Sequence, residues 1–64
     1  MSELRERLER EAFAIEGAQR KLQAELARTS DPLERRGIHL KLQRLTLDHQ
    51  SVLNSIFALD LGQY

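Results

Sequence analysis

The residues of this chain that could carry out acid–base or nucleophilic chemistry are few and scattered. The sequence of 64 residues has no cysteine, and its two histidines, His39 and His49, are ten residues apart, so they cannot meet on neighbouring turns of one helix. Acidic pairs such as Glu3 and Glu6 have helical spacing, but no apolar segment beside them could form a catalytic pocket. The sequence contains no HExxH, GxSxG or glycine-rich phosphate-binding motif. We therefore predict that the protein is not an enzyme and holds no cofactor or metal.

The segment around Pro32 predicts a break between two helices. Proline is favoured at the first helical position, where its missing N–H costs nothing. Asp31 before it is a good N-cap, and Glu34 is placed to complete a variant of the capping box. Ser2 can cap the first helix and Gly62 can end the second. The expected elements of this single domain are a helix over about 3–28, a turn at about 29–31 and a helix over about 32–60.

Both predicted helices carry an apolar seam with alternating spacings of four and three residues. On the second helix the seam is Ile38, Leu42, Leu45, His49, Val52, Ile56 and Leu59, and on the first it is Leu8, Ala12, Ile15, Gln19, Leu22 and Leu26. The pattern predicts an all-α fold, a two-helix antiparallel hairpin like a coiled coil, with Leu22 near Leu42, Ile15 near His49 and Leu8 near Ile56. The polar residues Gln19 and His49 are predicted to set the register, with His49 bonded to Gln19 or to a symmetry-related copy. A pH-sensing or ligand-contacting role for His49 is the alternative.

One long helix through Pro32 is a second possible architecture. The residues Ala12, Gln19, Leu26, Leu33, Leu40 and Leu47 are each seven apart and would form one continuous row. That helix would lose about 3 kcal/mol at the proline and would leave the better seam in water. The hairpin is favoured for these reasons.

A second apolar row runs along the side of the second helix opposite its seam. We call it the outer row: Leu33, Leu40, Leu47 and Leu61, with Asn54 in the remaining heptad position. A lone hairpin cannot bury both rows, so a second copy forming a four-helix bundle, or a helical protein partner, is expected to cover this one. The predicted partner-binding residues are Phe13, Leu33, Leu40, Leu47, Phe57 and Leu61.

The formal net charge of zero hides an uneven distribution along the chain. Residues 1–16 and 45–64 each carry a charge of −2, whereas residues 17–44 carry +4. A hairpin would therefore be basic at its bend and acidic at its paired ends. Five residues near the bend could form a patch for an anionic partner: Arg28, Arg35, Arg36, Lys41 and Arg44.

These features favour a small helical protein–protein interaction module, acting as an adaptor, regulator or chaperone-like subunit through helix packing. In length and hairpin layout the chain also resembles the small RNA-binding bundle that controls plasmid copy number. That resemblance implies a homodimer that binds RNA through the basic group. Replacing Arg35 and Arg36 with glutamate would then abolish binding. A structural subunit of a larger assembly is a third possibility. No apolar run approaches the ~20 residues of a membrane span and no signal peptide opens the chain, so a cytoplasmic location without membrane contact is expected.

Overall fold

In the computed structural model, which describes residues 3–62, the chain forms two α-helices that pack against each other as a hairpin. Helix α1 is Glu3–Arg28 and helix α2 is Pro32–Asp60. Arg5 near the start of α1 forms an ion pair with Asp60 at the end of α2, so the helices are antiparallel. The prediction of an all-helical two-helix hairpin is confirmed for the described residues, and the alternative of one long helix through Pro32 is wrong.

The break between the helices depends on the capping of α2. Asp31 has an extended backbone (φ −70°, ψ 120°), and its Oδ1 accepts a hydrogen bond of 3.0 Å from the N–H of Leu33. Glu34 does not bond back to the N–H of Asp31, as the capping box would require. Instead its Oε2 accepts the hydroxyl of Thr29 at 2.7 Å, and Thr29 Oγ1 accepts the N–H of Asp31 at 3.3 Å. Thr29 thus takes the place expected for Glu34 because its short side chain lies between the two groups.

The far end of α2 stops at a glycine. Gly62 has a φ of +72°, in the left-handed region that favours glycine, and its N–H donates to the carbonyl of Leu59 at 3.0 Å. The role expected for Gly62 is therefore confirmed. The expected cap of α1, Ser2, lies outside the described residues.

The register of the two helices is the same at two points in the half of the hairpin that holds the chain ends. His49 Nε2 lies 3.0 Å from Glu16 Oε2, and Arg5 pairs with Asp60 nearer the chain ends. These two cross-helix pairs are eleven residues apart on both helices, so the offset does not change between them. The register agrees within one turn with the layers expected from the two seams, which placed Ile15 near His49.

The hairpin has almost no interior. Among the described residues only Ala12 and Ile38 are buried apolar residues, and the rest of both seams is half-buried. The molecule measures 46 × 15 × 11 Å and exposes 5196 Å² of surface. A compact protein of 7.4 kDa would expose only about 4,200 Å². The excess is similar to the roughly 800 Å² that each partner buries in a standard protein interface.

Neither α1 nor α2 is long and apolar enough to cross a membrane.

Candidate functional site: the outer face of α2

The outer row lies in water along the side of α2 that faces away from α1. Its leucines have exposed fractions of 80% for Leu33, 58% for Leu40, 67% for Leu47 and 57% for Leu61. The buried residue Ile38 lies on the opposite side of the same helix from Leu40. The two residues are two positions apart, and such residues are rotated by about 200° around an α-helix. The hairpin contact therefore leaves the whole outer row uncovered.

The two phenylalanines are exposed as well. Phe13 on α1 is 70% exposed and Phe57 on α2 is 65% exposed. Leu53, Phe57 and Leu61 are each four residues apart, so they adjoin one another on the surface of α2. They widen the apolar surface at the end of α2, whereas Phe13 lies apart from it on the other helix.

A groove between the helices is a feature that the sequence patterns did not point out. Three adjoining hollows lie along one side of the hairpin, and their apolar lining includes Ile15, Leu22, Ile38, Leu45 and Val52. Most of these seam residues are half-buried, since a second helix can cover only part of each side chain. The sequence did contain one indication of this groove. It has more apolar seam residues than two helices can enclose, so part of each seam has to remain open.

His49 makes a different contact from the one expected. Its Nε2 is bonded to Glu16 Oε2, so the predicted bond to Gln19 is wrong. Glu16 precedes Gln19 by about one turn, and its carboxylate reaches the imidazole from the edge of the seam. The His49 side chain is 23% exposed and that of Glu16 is 44% exposed. Gln19 is half-buried in the seam, where the proposed role in setting the register stays a prediction.

The basic group near the bend does not form one uniform patch. Arg35 is half-buried, and its Nη1 donates to the carbonyls of Leu26 at 2.7 Å and Thr29 at 3.0 Å. Arg28 donates to the carbonyl of Ala24 at 3.3 Å within its own helix. Two of the five guanidinium and ammonium groups are thus engaged with backbone carbonyls.

Acidic residues adjoin two of the three remaining cations. Lys41 borders a hollow together with Glu25 and Glu34, and Arg44 borders the next hollow together with Asp48. Arg36 is exposed on α2. A phosphate approaching this surface would meet carboxylates beside the basic groups, which weakens its attraction.

No group of three or more histidine, cysteine, aspartate or glutamate side chains within residues 3–62 is arranged to hold a metal ion. The chain matches no protein-family model, no curated protein and no solved structure.

Proposed function

We propose that this chain is a non-enzymatic protein–protein interaction module that docks an α-helix along the outer row of α2. The observation that carries the proposal is the exposure of four leucines at heptad spacing on the face of α2 opposite α1. Such spacing matches the way an amphipathic helix presents its apolar residues to a partner. An adaptor, a regulator, a chaperone-like subunit or a structural subunit could each use this contact.

The free energy available at this surface is large for so small a protein. Burying one leucine side chain contributes about 1.5–3 kcal/mol, and the outer row has four. The whole free energy of unfolding of a typical domain is only about 5–15 kcal/mol. With two buried apolar residues between its helices, the hairpin gains much of its potential stability from whatever covers the outer row.

The apolar row supports a protein partner better than the basic group supports RNA. Arg35, one of the two arginines on which RNA binding would depend, donates to carbonyls at the end of α1. Carboxylates border the surface around Lys41 and Arg44. A protein helix needs neither cation, since its contact with leucines is apolar.

The absence of cysteine from the chain allows a direct test of whether the outer row is covered. We expect the single variant Leu47→Cys, produced in its native cells, to react with a maleimide reagent at least about tenfold more slowly than Thr46→Cys in fresh extract. Thr46 is the matched control because it is the neighbouring residue, is exposed, and lies about 100° around the helix from the outer row. Rates of both variants in urea correct for the intrinsic reactivity of each thiol.

Equal rates at the two positions would show a bare outer row and would overturn the proposal. Treatment of the extract with nuclease distinguishes the alternative function. Protection that survives nuclease and high salt supports a protein partner, whereas protection that both treatments abolish supports RNA, because phosphate contacts weaken steeply as salt rises.

A further inference from the structure

The two helices differ in how many sides of each are apolar. Of the eight large hydrophobic residues that are exposed, Leu4 and Phe13 lie on α1. Leu61 is the C-cap of α2, and the other five lie on α2: Leu33, Leu40, Leu47, Leu53 and Phe57. A helix with apolar residues on one side lies at the edge of an assembly, whereas a helix that is apolar on opposite sides lies inside one. The pattern places α2 in the interior and α1 at the outside.

We propose that the partner of the outer row is a second copy of this chain, with the two α2 helices antiparallel at the centre and the two α1 helices outside. This inference rests on the proposed function, and it names the partner. The resulting order α1–α2–α2–α1 is a layer of four helices rather than a closed bundle, because the outer row faces directly away from α1.

The charges of α2 favour a second copy in the antiparallel direction. Residues 32–46 hold four basic residues and one acidic residue, whereas residues 47–60 hold two acidic residues and no lysine or arginine. Antiparallel packing brings the basic half of each α2 beside the acidic half of the other. It also places the basic bend of each hairpin near the acidic paired ends of the other copy. Parallel packing would instead bring like charges together.

The surface of α2 has an open hollow beside the outer row, lined by Leu47 and four polar residues. Leu47, Gln50, Ser51 and Asn54 surround an open depression beside the outer row. Residues with spacings of three, four and seven form the hole of a coiled coil, into which one side chain of a facing helix inserts. The small side chain of Ser51 leaves this hole open.

One register gives a leucine of each copy to the hole of the other. The two copies would be related by a two-fold axis perpendicular to α2. If this axis lies level with the midpoint between Arg44 and Leu47, Leu40 of each copy enters the hole at Ser51 of the other. The same axis places Leu33 beside Ala58 of the second copy.

Sliding one copy by one heptad gives a poorer contact. Leu33, the most exposed leucine, would then extend past the end of the second α2. The register centred between Arg44 and Leu47 instead covers the full length of α2.

Disulfide formation between cysteine variants of the purified protein tests this arrangement. Leu40→Cys mixed with Ser51→Cys should form a mixed dimer under mild oxidation, because a disulfide requires Cα atoms about 4.4–6.8 Å apart. Neither variant alone should form a dimer at a comparable rate, since each pair of identical positions would be about 16 Å apart along the helices. Ala58→Cys mixed with Leu40→Cys is the matched control, because the heptad-shifted register would join those positions instead.

Each outcome decides the inference. Rapid cross-linking of Leu40→Cys with Ser51→Cys, at least about tenfold faster than in the Ala58→Cys mixture, supports it. Three results would overturn the inference. Rapid self-linking of Leu40→Cys indicates parallel helices, and faster linking of Leu40→Cys to Ala58→Cys indicates the shifted register. A protein that stays monomeric at all concentrations has no second copy on its outer row. If purified Leu47→Cys is unprotected but is protected in cell extract, the second copy is wrong while the docking function holds.

Discussion

At the scale of single residues, side chains near the bend stabilise the turn through specific backbone contacts. The guanidinium of Arg35 on α2 donates to the carbonyls of Leu26 and Thr29 near the end of α1. The last carbonyls of a helix have no partner within the helix. A cation that bonds to them also interacts favourably with the negative end of the helix dipole. One charged side chain therefore joins the start of α2 to the end of α1.

Replacing Arg35 should measure this contribution. Because hydrogen bonds to a charged group are worth about 1.5–3 kcal/mol and this site is half-exposed, we expect Arg35→Gln to lower the free energy of unfolding by about 1–2 kcal/mol. Arg36→Gln is the neighbouring control at an exposed position and should change it by less than about 0.5 kcal/mol. Urea denaturation followed by circular dichroism gives both values, and equal effects at the two positions would show that the carbonyl contacts contribute nothing.

At the scale of the elements, each helix contains a glycine that nothing in the hairpin requires. A Cβ placed on Gly17 of α1 or Gly37 of α2 would meet no atom within 4 Å, and neither residue has the positive φ that favours glycine. Glycine within a helix costs about 1 kcal/mol relative to alanine. Gly37 borders the groove between the helices, and in the proposed assembly it also lies beside Asn54 of the second copy, whereas Gly17 faces water.

Replacing each glycine with alanine should distinguish a glycine that faces water from one that lies in a contact between helices. Gly17→Ala should raise the free energy of unfolding by about 0.5–1 kcal/mol, because alanine loses less backbone entropy on folding. Gly37→Ala should give a smaller gain at protein concentrations where the copies associate, since the added methyl group lies in the helix–helix contact. Urea denaturation at high and low protein concentration measures both, and an equal gain at both positions under all conditions would contradict a close approach at Gly37.

At the scale of the whole molecule, the hairpin is a long and thin body with more surface than a compact chain of its mass. Its two helices meet along one seam, and the outer row remains on the far side of α2. Folding and association should therefore be coupled, because covering the outer row favours the folded state by mass action.

The melting temperature should consequently depend on concentration. We expect it to rise by several degrees between about 1 µM and about 100 µM protein, as it does when only the folded state associates. The double variant Leu40→Asp, Leu47→Asp should lose this rise, because a charge in the contact opposes association. His39→Asp with Thr46→Asp adds the same charge at the same spacing on an exposed side of α2 away from the outer row, and should keep the rise. A wild-type melting temperature independent of concentration would count against self-association.

The sequence by itself determined where the helices break, which side of each helix is apolar, and that α2 has a second apolar row. These are local properties, since Asp31, Pro32 and Gly62 set backbone geometry at their own positions and the 3.6-residue period sets the faces of a helix. Tertiary packing decided which groups meet across the seam. Glu16 and Gln19 are one turn apart, so spacing alone could not choose which of them reaches His49, and the basic group looked uniform until the bend brought Arg35 onto the carbonyls of α1. The half-buried groove likewise depends on how much of each seam residue a single neighbouring helix can cover, which is a property of two surfaces in contact rather than of either sequence segment.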